Sequence, residues 1–402
     1  MTDRIRKITD GLLSLAVFRG LLEDPVIEAL VELLLAEDSE ESLKADCWGE
    51  FVSELYEQGG DLSAHIRDIV LESENPYIRT VAAGKKAPAG MEAAFRQELR
   101  MFAELSQLKP WELKGLLGFD QWIELPAWET EPMELEELYE DRMAHIADVG
   151  YGVFAEHHMF SMEEEGLAAV PFYDKKGLAD LIGYERERAK IIENTEALLA
   201  GLPSNNVLLY GDAGTGKSST VKAIANDYAD RGLRLIEVKK KYLYRIPALI
   251  EQLSEHPLKF ILFIDDLSFS SNDDDFAALK AILEGSVAGG SKNIAVYATS
   301  NRRHLLKETA EDRAGDDLHM YDTIQESMSL AARFGLQVTF AKPDKDLYLD
   351  IVRGLAKQFG VASDPEALTR EAEAYAIRNG GRSPRAAKNF VTGLLAQTYG
   401  EE

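Results

Sequence analysis

The sequence Gly211-Asp212-Ala213-Gly214-Thr215-Gly216-Lys217-Ser218 fits the P-loop pattern: a glycine, four free positions, then Gly-Lys-Ser. It follows a short apolar run, Asn206–Tyr210, which predicts a buried strand. It precedes Ser218–Ala225, where apolar residues recur at helical spacing. A strand, a glycine-rich loop and a helix form a phosphate cradle, because loop N–H groups and the helix N-terminus face the anion. This context favours a phosphate site over a glycine turn that binds nothing.

The loop residues predict individual roles at a bound nucleotide. Glycines let the backbone fold around a phosphate without Cβ clashes. Lys217 is expected to reach the β- and γ-phosphates, and the Ser218 hydroxyl to ligate Mg²⁺, so the implied cofactors are ATP and Mg²⁺. The predicted nucleotide-binding residues of the loop are Gly211, Asp212, Ala213, Gly214, Thr215, Gly216, Lys217, Ser218 and Ser219.

A second apolar run, Phe260–Ile264, ends in the two carboxylates Asp265 and Asp266. A continuous apolar run is typical of a buried parallel strand, and functional groups follow the C-terminal ends of such strands. Asp265 is predicted to hold Mg²⁺ directly or through water, which is the Walker B role. Asp266 is predicted to orient or deprotonate the attacking water. The alternative is an ordinary turn after a strand, which the upstream P-loop makes the weaker interpretation.

Strands alternate with helices from Phe172 onward, which predicts an α/β fold: a P-loop NTPase parallel sheet with helices on both faces. Residues 1–170 have almost wholly helical patterns, and the chain turns helical again after Pro343. We therefore predict an acidic helical N-terminal domain (1–170), a nucleotide-binding core (171–342) and a small helical lid (343–402). The strand candidates are Asn206–Tyr210, Arg234–Val238, Phe260–Ile264, Ile294–Thr299 and Leu336–Phe340, and the lid helix candidates are Lys345–Phe359, Asp364–Asn379 and Ser383–Gln397.

The net charge of −26 is unevenly distributed. Residues 1–170 contain 36 Asp and Glu against 14 Lys and Arg, whereas the rest of the chain contains 34 against 30. An acidic region repels phosphate backbones, which argues against non-specific nucleic-acid binding through it. The acidity suits either solubility alone, which we favour, or a basic protein partner.

The composition also bears on the compartment. Cys47 is the only cysteine, so no intramolecular disulfide can form, which fits a reducing cytosol. The stretch from Arg4 to Phe18 resembles a weak signal peptide, but its apolar residues fall on one helical face and predict a helix of the mature protein. No apolar run approaches transmembrane length, so we expect a cytoplasmic protein with no membrane partner.

From about residue 172 to 402 the chain resembles the AAA+ ATPases. Asp180-Leu181-Ile182-Gly183-Tyr184 resembles the segment that lines the adenine pocket in that family, which implies a binding role for Ile182 and Gly183. The alternative is a plain turn before a helix. Ala298-Thr299-Ser300-Asn301 is similar to sensor 1, which implies that Asn301 positions the lytic water. The alternative for Asn301 is a cap at the end of a strand.

Two further resemblances concern arginines. Leu330–Gly335 is similar to the arginine-finger box, which implies that Arg333 reaches the γ-phosphate of a neighbouring subunit. Gly381–Arg385 is similar to the start of a lid helix carrying sensor 2, and the Gly-Thr-Pro-Arg of branch-migration motors favours Arg385 over Arg382. Guanidinium groups suit this role because they stabilise charge on phosphoryl oxygens during transfer. The alternative for each arginine is an ordinary surface salt bridge.

One position departs from the family pattern. AAA+ proteins usually end the Walker B strand in Asp-Glu, whereas this chain has Asp265-Asp266. Aspartate is shorter by one carbon–carbon bond, roughly 1.5 Å. The departure affects the expected turnover rather than nucleotide binding. The whole chain also resembles an uncharacterised bacterial AAA+ subfamily with an N-terminal helical region and an Asn-Pro-Tyr like Asn75-Pro76-Tyr77.

The resemblance implies an ATPase, converting ATP to ADP and phosphate, that works as a homo-oligomer sharing sites through Arg333 and remodels an unknown protein or nucleoprotein client. The alternative is a nucleotide-dependent switch or loader with slow hydrolysis, acting through the acidic N-terminal domain. A P-loop kinase is a weaker third interpretation, because it would not need a neighbour's arginine.

Three segments of the second half are candidates for contacts with other molecules or subunits. Lys239–Arg245 fits a pore loop, a single-stranded nucleic-acid site or the start of a helix, and we favour the helix, so nucleic acid is the less favoured partner. Arg302-Arg303-His304 suits a subunit contact, and Glu311–Asp322 has the composition of a loop.

Overall fold

The chain folds into two compact units, Met1–Glu156 and His157–Glu402. The computed structural model describes residues 3–267, 279–280, 282–283, 292–301, 330–361 and 364–400. The boundary lies before residue 157 rather than after the expected residue 170, because residues 159–162 and 167–169 form strands of the second unit's sheet. The expected core (171–342) and lid (343–402) fall within one unit, because lid and sheet side chains share one hydrophobic core.

The described secondary structure of the first unit is helical, as the sequence predicts. Its apolar helix faces converge on a single core, which includes the fully buried rings of Phe18, Trp48 and Phe102. The helices are α1 Asp3–Leu13, α2 Pro25–Leu35, α3 Glu41–Glu57, α4 Leu62–Glu72, α5 Pro76–Ala82, α6 Ala89–Leu105, α7 Pro110–Leu116, α8 Leu135–Ala144, α9 Ile146–Val149 and α10 Val153–Glu156.

The Asn75-Pro76-Tyr77 motif has a structural role in this unit. The Asn75 side chain accepts a hydrogen bond from the Ile78 N–H at 2.9 Å and so caps α5. Pro76 occupies the first helical position, where its missing N–H costs nothing. The ring of Tyr77 stacks on Phe95 of α6 with centroids 3.8 Å apart. The motif therefore starts one helix and fixes it against another.

A buried carboxylate connects α6 to the chain that follows α1. Glu98 is buried, and its two oxygens accept hydrogen bonds from the backbone N–H groups of Ala16, Val17 and Phe18 at 2.9–3.2 Å. These donors have left the helix and have no partner in α1, so the carboxylate satisfies them. The start of the chain is thus an integral part of the folded unit.

The second unit contains a seven-stranded sheet. The strands are β1 Met159–Met162, β2 Leu167–Ala169, β3 Val207–Gly211, β4 Leu233–Glu237, β5 Lys259–Ile264, β6 Ile294–Ser300 and β7 Leu336–Phe340. They lie in the order β2-β1-β4-β5-β6-β3-β7. Neighbouring strands are parallel except for the β1–β2 hairpin, which confirms the predicted parallel α/β fold and adds two strands that the sequence did not predict.

The described part of the second unit also contains helices between the strands and three helices after the last strand. The last three pack on one another, and Tyr348, Ile351, Ala387 and Val391 from them are buried in the same core as the strands. Among the described residues, no helix is long and apolar enough to cross a membrane. The helices are α11 Glu185–Leu199, α12 Lys217–Asp227, α13 Ile246–Leu253, α14 Lys345–Gln358, α15 Pro365–Arg378 and α16 Pro384–Gly400.

Replacing Glu98 should destabilise the first unit selectively. We expect Glu98→Ala to lower the free energy of unfolding by about 3 kcal/mol, because three backbone N–H groups, including those of the buried Val17 and Phe18, lose their acceptor. Glu104→Ala, which removes an exposed carboxylate 3.4 Å from Lys7, should cost less than about 0.5 kcal/mol. All four tryptophans lie in this unit, so tryptophan fluorescence during urea unfolding reports on it directly. Equal stabilities of the two variants would contradict the assigned role of Glu98.

Candidate nucleotide-binding site

The loop between β3 and α12 has the backbone that a phosphate cradle requires. Gly211, Gly214 and Gly216 have φ angles of +138°, +76° and +94°, a region that favours glycine. A Cβ atom on Gly211 would lie 2.1 Å from the carbonyl oxygen of Phe340 in β7. The first glycine is therefore needed for packing against the neighbouring strand as well as for its φ angle.

Lys217 is held at this loop by three oxygen atoms. Its buried Nζ donates to the carbonyl oxygens of Gly211 and Asp212, at 2.9 and 2.7 Å, and to Oδ1 of Asn301 at 3.0 Å. Burial lowers the pKa of Lys217, Arg385 lowers it further, and the nearby carboxylates oppose the shift. The three bonds account for all three ammonium donors, so the side chain has a defined position in the loop.

The two predicted magnesium ligands lie in direct contact. Ser218 Oγ donates to Asp265 Oδ1 at 2.6 Å, although the residues are far apart in sequence. The same Asp265 oxygen accepts from the Thr299 hydroxyl and from the Asp266 N–H. A hydroxyl beside a carboxylate is an all-oxygen donor set, which is what Mg²⁺ prefers. Ser218 and Asp265 therefore fit the ion that the sequence implies.

Asp266 has a left-handed backbone conformation, and its side chain contacts Asn301 at the end of the neighbouring strand. Its φ is +51°, a left-handed conformation that costs a non-glycine residue roughly 1 kcal/mol. The Asp266 N–H donates to Thr299 Oγ1 at 2.9 Å, and its carboxylate accepts from Asn301 Nδ2 at 2.7 Å. Asn301 thus bridges Asp266 and Lys217, instead of merely capping the end of its strand.

Thr299 is also a member of this cluster, and it lies within the motif Ala298–Asn301 without a predicted role of its own. It contacts both Walker B carboxylate residues, Asp265 and Asp266. The β5–β6 register pairs Ile264 with Ala298, so Thr299 lies level with Asp265. The register follows from the assembled sheet and cannot be read from the sequence. The sequence does show a hydroxyl residue at the end of β6, and this pattern could have predicted a role for Thr299.

The lid separates the two candidate sensor arginines. The Arg385 N–H donates to the carbonyl oxygen of Gly214 at 3.2 Å, and the Arg385 side chain lines the cleft above the loop. Arg382 instead forms a bidentate pair with Glu373, at 2.9 and 2.8 Å, as expected for an arginine in an ordinary salt bridge. Of the two, Arg385 lines the cleft and Arg382 does not.

The segment before α11 forms the other end of the cleft. Ile182 lines it and packs against α14, where a Cβ on Gly354 would lie 2.6 Å from Ile182 Cδ1. Arg188 donates to the carbonyl oxygens of Leu181 and Gly183, and burial lowers the pKa of this guanidinium. These contacts hold the segment in a fixed conformation.

The cleft has a volume of about 800 Å³, and most predicted site residues line it. Three predicted binding residues, Gly183, Gly211 and Asp212, are not among the residues that line the cleft. The Asp212 side chain instead accepts a hydrogen bond from the Lys342 N–H at 3.0 Å. The predicted site residues that line the cleft are Ile182, Ala213, Gly214, Thr215, Gly216, Lys217, Ser218, Ser219, Asp265, Asp266, Asn301 and Arg385.

Arg333 lies away from the cleft of its own chain. It precedes the first residue of β7, whereas the P-loop follows the last residue of the parallel strand β3. The length of such a strand, roughly 16 Å, therefore separates Arg333 from the loop. Arg302-Arg303-His304 and Glu311–Asp322 fall outside the described residues.

Comparison with known proteins places the chain in a family. Residues 154–398, nearly all of the second unit, match the family described as "Protein of unknown function (DUF815)". The chain belongs to this family. It is also 26% identical over 280 residues to the proteasome-activating nucleotidase of Methanococcus vannielii, a match that covers 61% of this chain and 65% of that protein.

Two further similar proteins match smaller parts of the chain. The replication factor C large subunit of Staphylothermus marinus is 32% identical over 120 residues, 28% of this chain and 27% of that protein. The Thermotoga maritima RuvB Holliday junction branch migration motor has a TM-score of 0.37 at 19% identity, covering 54% of this chain and 63% of that one. The family match and the similarity to the proteasome-activating nucleotidase confirm the prediction of an AAA+ P-loop protein.

Replacing Gly211 should damage the fold around the loop more than replacing another left-handed glycine. Gly211→Ala introduces the 2.1 Å contact, and we expect a loss of at least about 3 kcal/mol in the free energy of unfolding. Gly201→Ala is the matched control, since φ is +67° but nothing lies within 4 Å of the added Cβ, and it should cost about 1 kcal/mol. Urea unfolding followed by far-UV circular dichroism measures both. A Gly211→Ala variant as stable as the control would refute the packing role.

Proposed function

We propose that the protein binds ATP with Mg²⁺ in this cleft, hydrolyses it, and as an oligomer uses the cycle to remodel a protein client. The observation that carries the proposal is the continuous chain of hydrogen bonds from Lys217 through Asn301 to Asp266, beside the contact between Ser218 and Asp265. These groups come from three separate strand ends. The Lys217 ammonium can bind phosphate, and the oxygens of Ser218 and Asp265 can bind a metal ion. The Asp266 carboxylate can orient or deprotonate the attacking water.

The residues divide the chemistry among them. Lys217 binds phosphate oxygens. Ser218 and Asp265 would hold Mg²⁺, which would supply further positive charge beside those oxygens. Asp266 accepts a proton from the attacking water, and Asn301 holds the Asp266 carboxylate in place. Arg385 stabilises negative charge from the lid side.

The similar proteins support a protein client over nucleic acid. The relative that is matched over 61% of this chain is named for activating a proteasome, a protein assembly. The replication factor C match covers only 28% of the chain. The first unit carries 33 acidic against 14 basic residues, a balance that repels nucleic acid and attracts basic protein surfaces.

A switch with slow hydrolysis is the second candidate function. It is favoured by one observation: the short side chain of Asp266 is already hydrogen-bonded to Asn301, at 2.7 Å. An aspartate tied to its neighbour orients water less freely than a longer glutamate. Both functions use the same site, and the steady-state turnover number distinguishes them, with a Lys217→Ala variant as the inactive control.

Sharing of the site between subunits can be tested by mixing two inactive variants. Lys217→Ala should fail to bind ATP but still offer Arg333, whereas Arg333→Ala should bind ATP but lack the arginine. If Arg333 acts in a neighbour's site, the mixture regains ATPase activity, because an arginine supplied in trans is worth roughly 10³–10⁵ in rate. Phosphate release measures the recovery.

The matched control for that mixture replaces its first component by the double variant Lys217→Ala/Arg333→Ala, which has no arginine to offer. Activity should then stay at the sum of the separate variants. An Arg333→Ala protein with unchanged activity by itself would refute the shared site.

Thr299 should act as a positioning residue for both aspartates. Thr299→Val removes the hydroxyl with little change in shape, so we expect kcat to fall about 10- to 100-fold. Thr299→Ser keeps the hydroxyl and should retain most of the activity. The rescue by serine separates the hydrogen bonds from packing. A valine variant as active as the serine variant would show that the hydroxyl has no role in turnover.

A further inference from the structure

The turn of the β1–β2 hairpin, Glu163–Gly166, lies against the segment Lys239–Arg245. β1 is parallel to β4, with Ser161 opposite Glu237, so two residues further along Glu163 lies beside Lys239. Lys239 Nζ is 2.8 Å from Glu163 Oε1, and the Arg245 guanidinium donates to the Glu163 carbonyl oxygen at 3.1 Å. We refer to Glu163–Gly166 as the acidic turn and to Lys239–Arg245 as the basic segment.

The basic segment combines cations with aromatic rings. Residues Lys240–Arg245 form a 3₁₀ helix that buries Tyr242 and Leu243, as expected for the start of a helix, whereas Tyr244 is 64% exposed. Lys241 Nζ lies 4.4 Å from the centre of the Tyr242 ring, and the Arg245 guanidinium lies 5.8 Å from that of Tyr244. Cations interleaved with an exposed aromatic ring are the chemistry that binds single-stranded nucleic acid.

The acidic turn supplies the opposite charge at the same place. The turn is closed by a hydrogen bond from the Glu163 N–H to the Gly166 carbonyl oxygen at 2.7 Å. Hydrogen bonds from Lys239 and Ser161 lower the pKa of Glu163, so its carboxylate is charged at neutral pH. Glu164 and Glu165 are exposed in the same turn. Ion pairs at such exposed positions are weak and screened by salt, so they shield the segment without locking it.

We propose that the acidic turn is an intramolecular competitor that keeps single-stranded nucleic acid off the basic segment. The carboxylates stand where the phosphates of a bound strand would lie against Lys239 and its neighbours. The acidic turn would repel nucleic acid, which is a continuous polyanion. It would still allow proteins to bind the basic segment, because protein surfaces carry charges of both signs. The inference does not depend on ATP hydrolysis, since each contact joins groups outside the nucleotide cleft.

Neutralising the turn should strengthen the binding of single-stranded nucleic acid. The test variant is Glu163→Gln/Glu164→Gln/Glu165→Gln in the full chain, and the probe is a fluorescein-labelled oligothymidylate of about twenty nucleotides. Fluorescence anisotropy at low salt without ATP should show about tenfold tighter binding than the unaltered chain, with a steeper salt dependence. Adding Lys239→Gln and Lys241→Gln to the turn variant should abolish the gain.

Two further variants keep the result interpretable. Glu50→Gln/Glu54→Gln/Glu57→Gln on α3 removes the same net charge from the first unit and should gain nothing. Glu164→Gln/Glu165→Gln preserves the hydrogen bonds of Glu163 and should show a smaller gain with an intact fold. The proposal is overturned if the turn variants bind no tighter than the α3 variant, or if the lysine substitutions leave the gained affinity unchanged. Because ATP is absent, this outcome is independent of whether the protein is an ATPase.

Discussion

Lys217 carries a buried positive charge, which the second unit accommodates without an ion pair to any carboxylate of the described residues. The structure does so with two carbonyl oxygens of the P-loop and the amide oxygen of Asn301. Neutral oxygens satisfy the ammonium donors but leave its net charge available, so the site keeps its attraction for an anion. A direct salt bridge to Asp265 or Asp266 would have cancelled that attraction.

Sheet order brings these groups together. β6 lies between β3 and β5, so Asn301, at the end of β6, stands between the P-loop and the Walker B aspartates. Parallel strands end at the same edge, which lets a short asparagine side chain contact Lys217 on one side and Asp266 on the other. The left-handed backbone of Asp266 turns its shorter side chain into this arrangement. The cluster therefore depends on β6 as much as on the two motifs that flank it.

Local patterns were sufficient to predict much of this arrangement. The P-loop, the apolar Walker B strand and the lid helices each have a signal within one stretch of sequence, and β7 has the predicted bounds Leu336–Phe340. The hairpin β1–β2 was missed because its partner strand, β4, lies more than 70 residues later and its own residues form a short, mixed pattern. Thr299 was missed because its contacts follow from the β5–β6 register. The resemblance of motifs favoured Arg385 over Arg382 as the sensor. The sequence did not indicate the role of Arg382, which the structure shows in a salt bridge with Glu373.

Isothermal titration calorimetry with ATP and Mg²⁺ tests the central claim most directly, namely that these strand ends form one nucleotide site. The unaltered chain should bind one ATP per subunit, and Asp265→Asn should weaken the magnesium-dependent part of the affinity while leaving the fold intact. The absence of any heat of binding to the folded, unaltered chain would contradict the account.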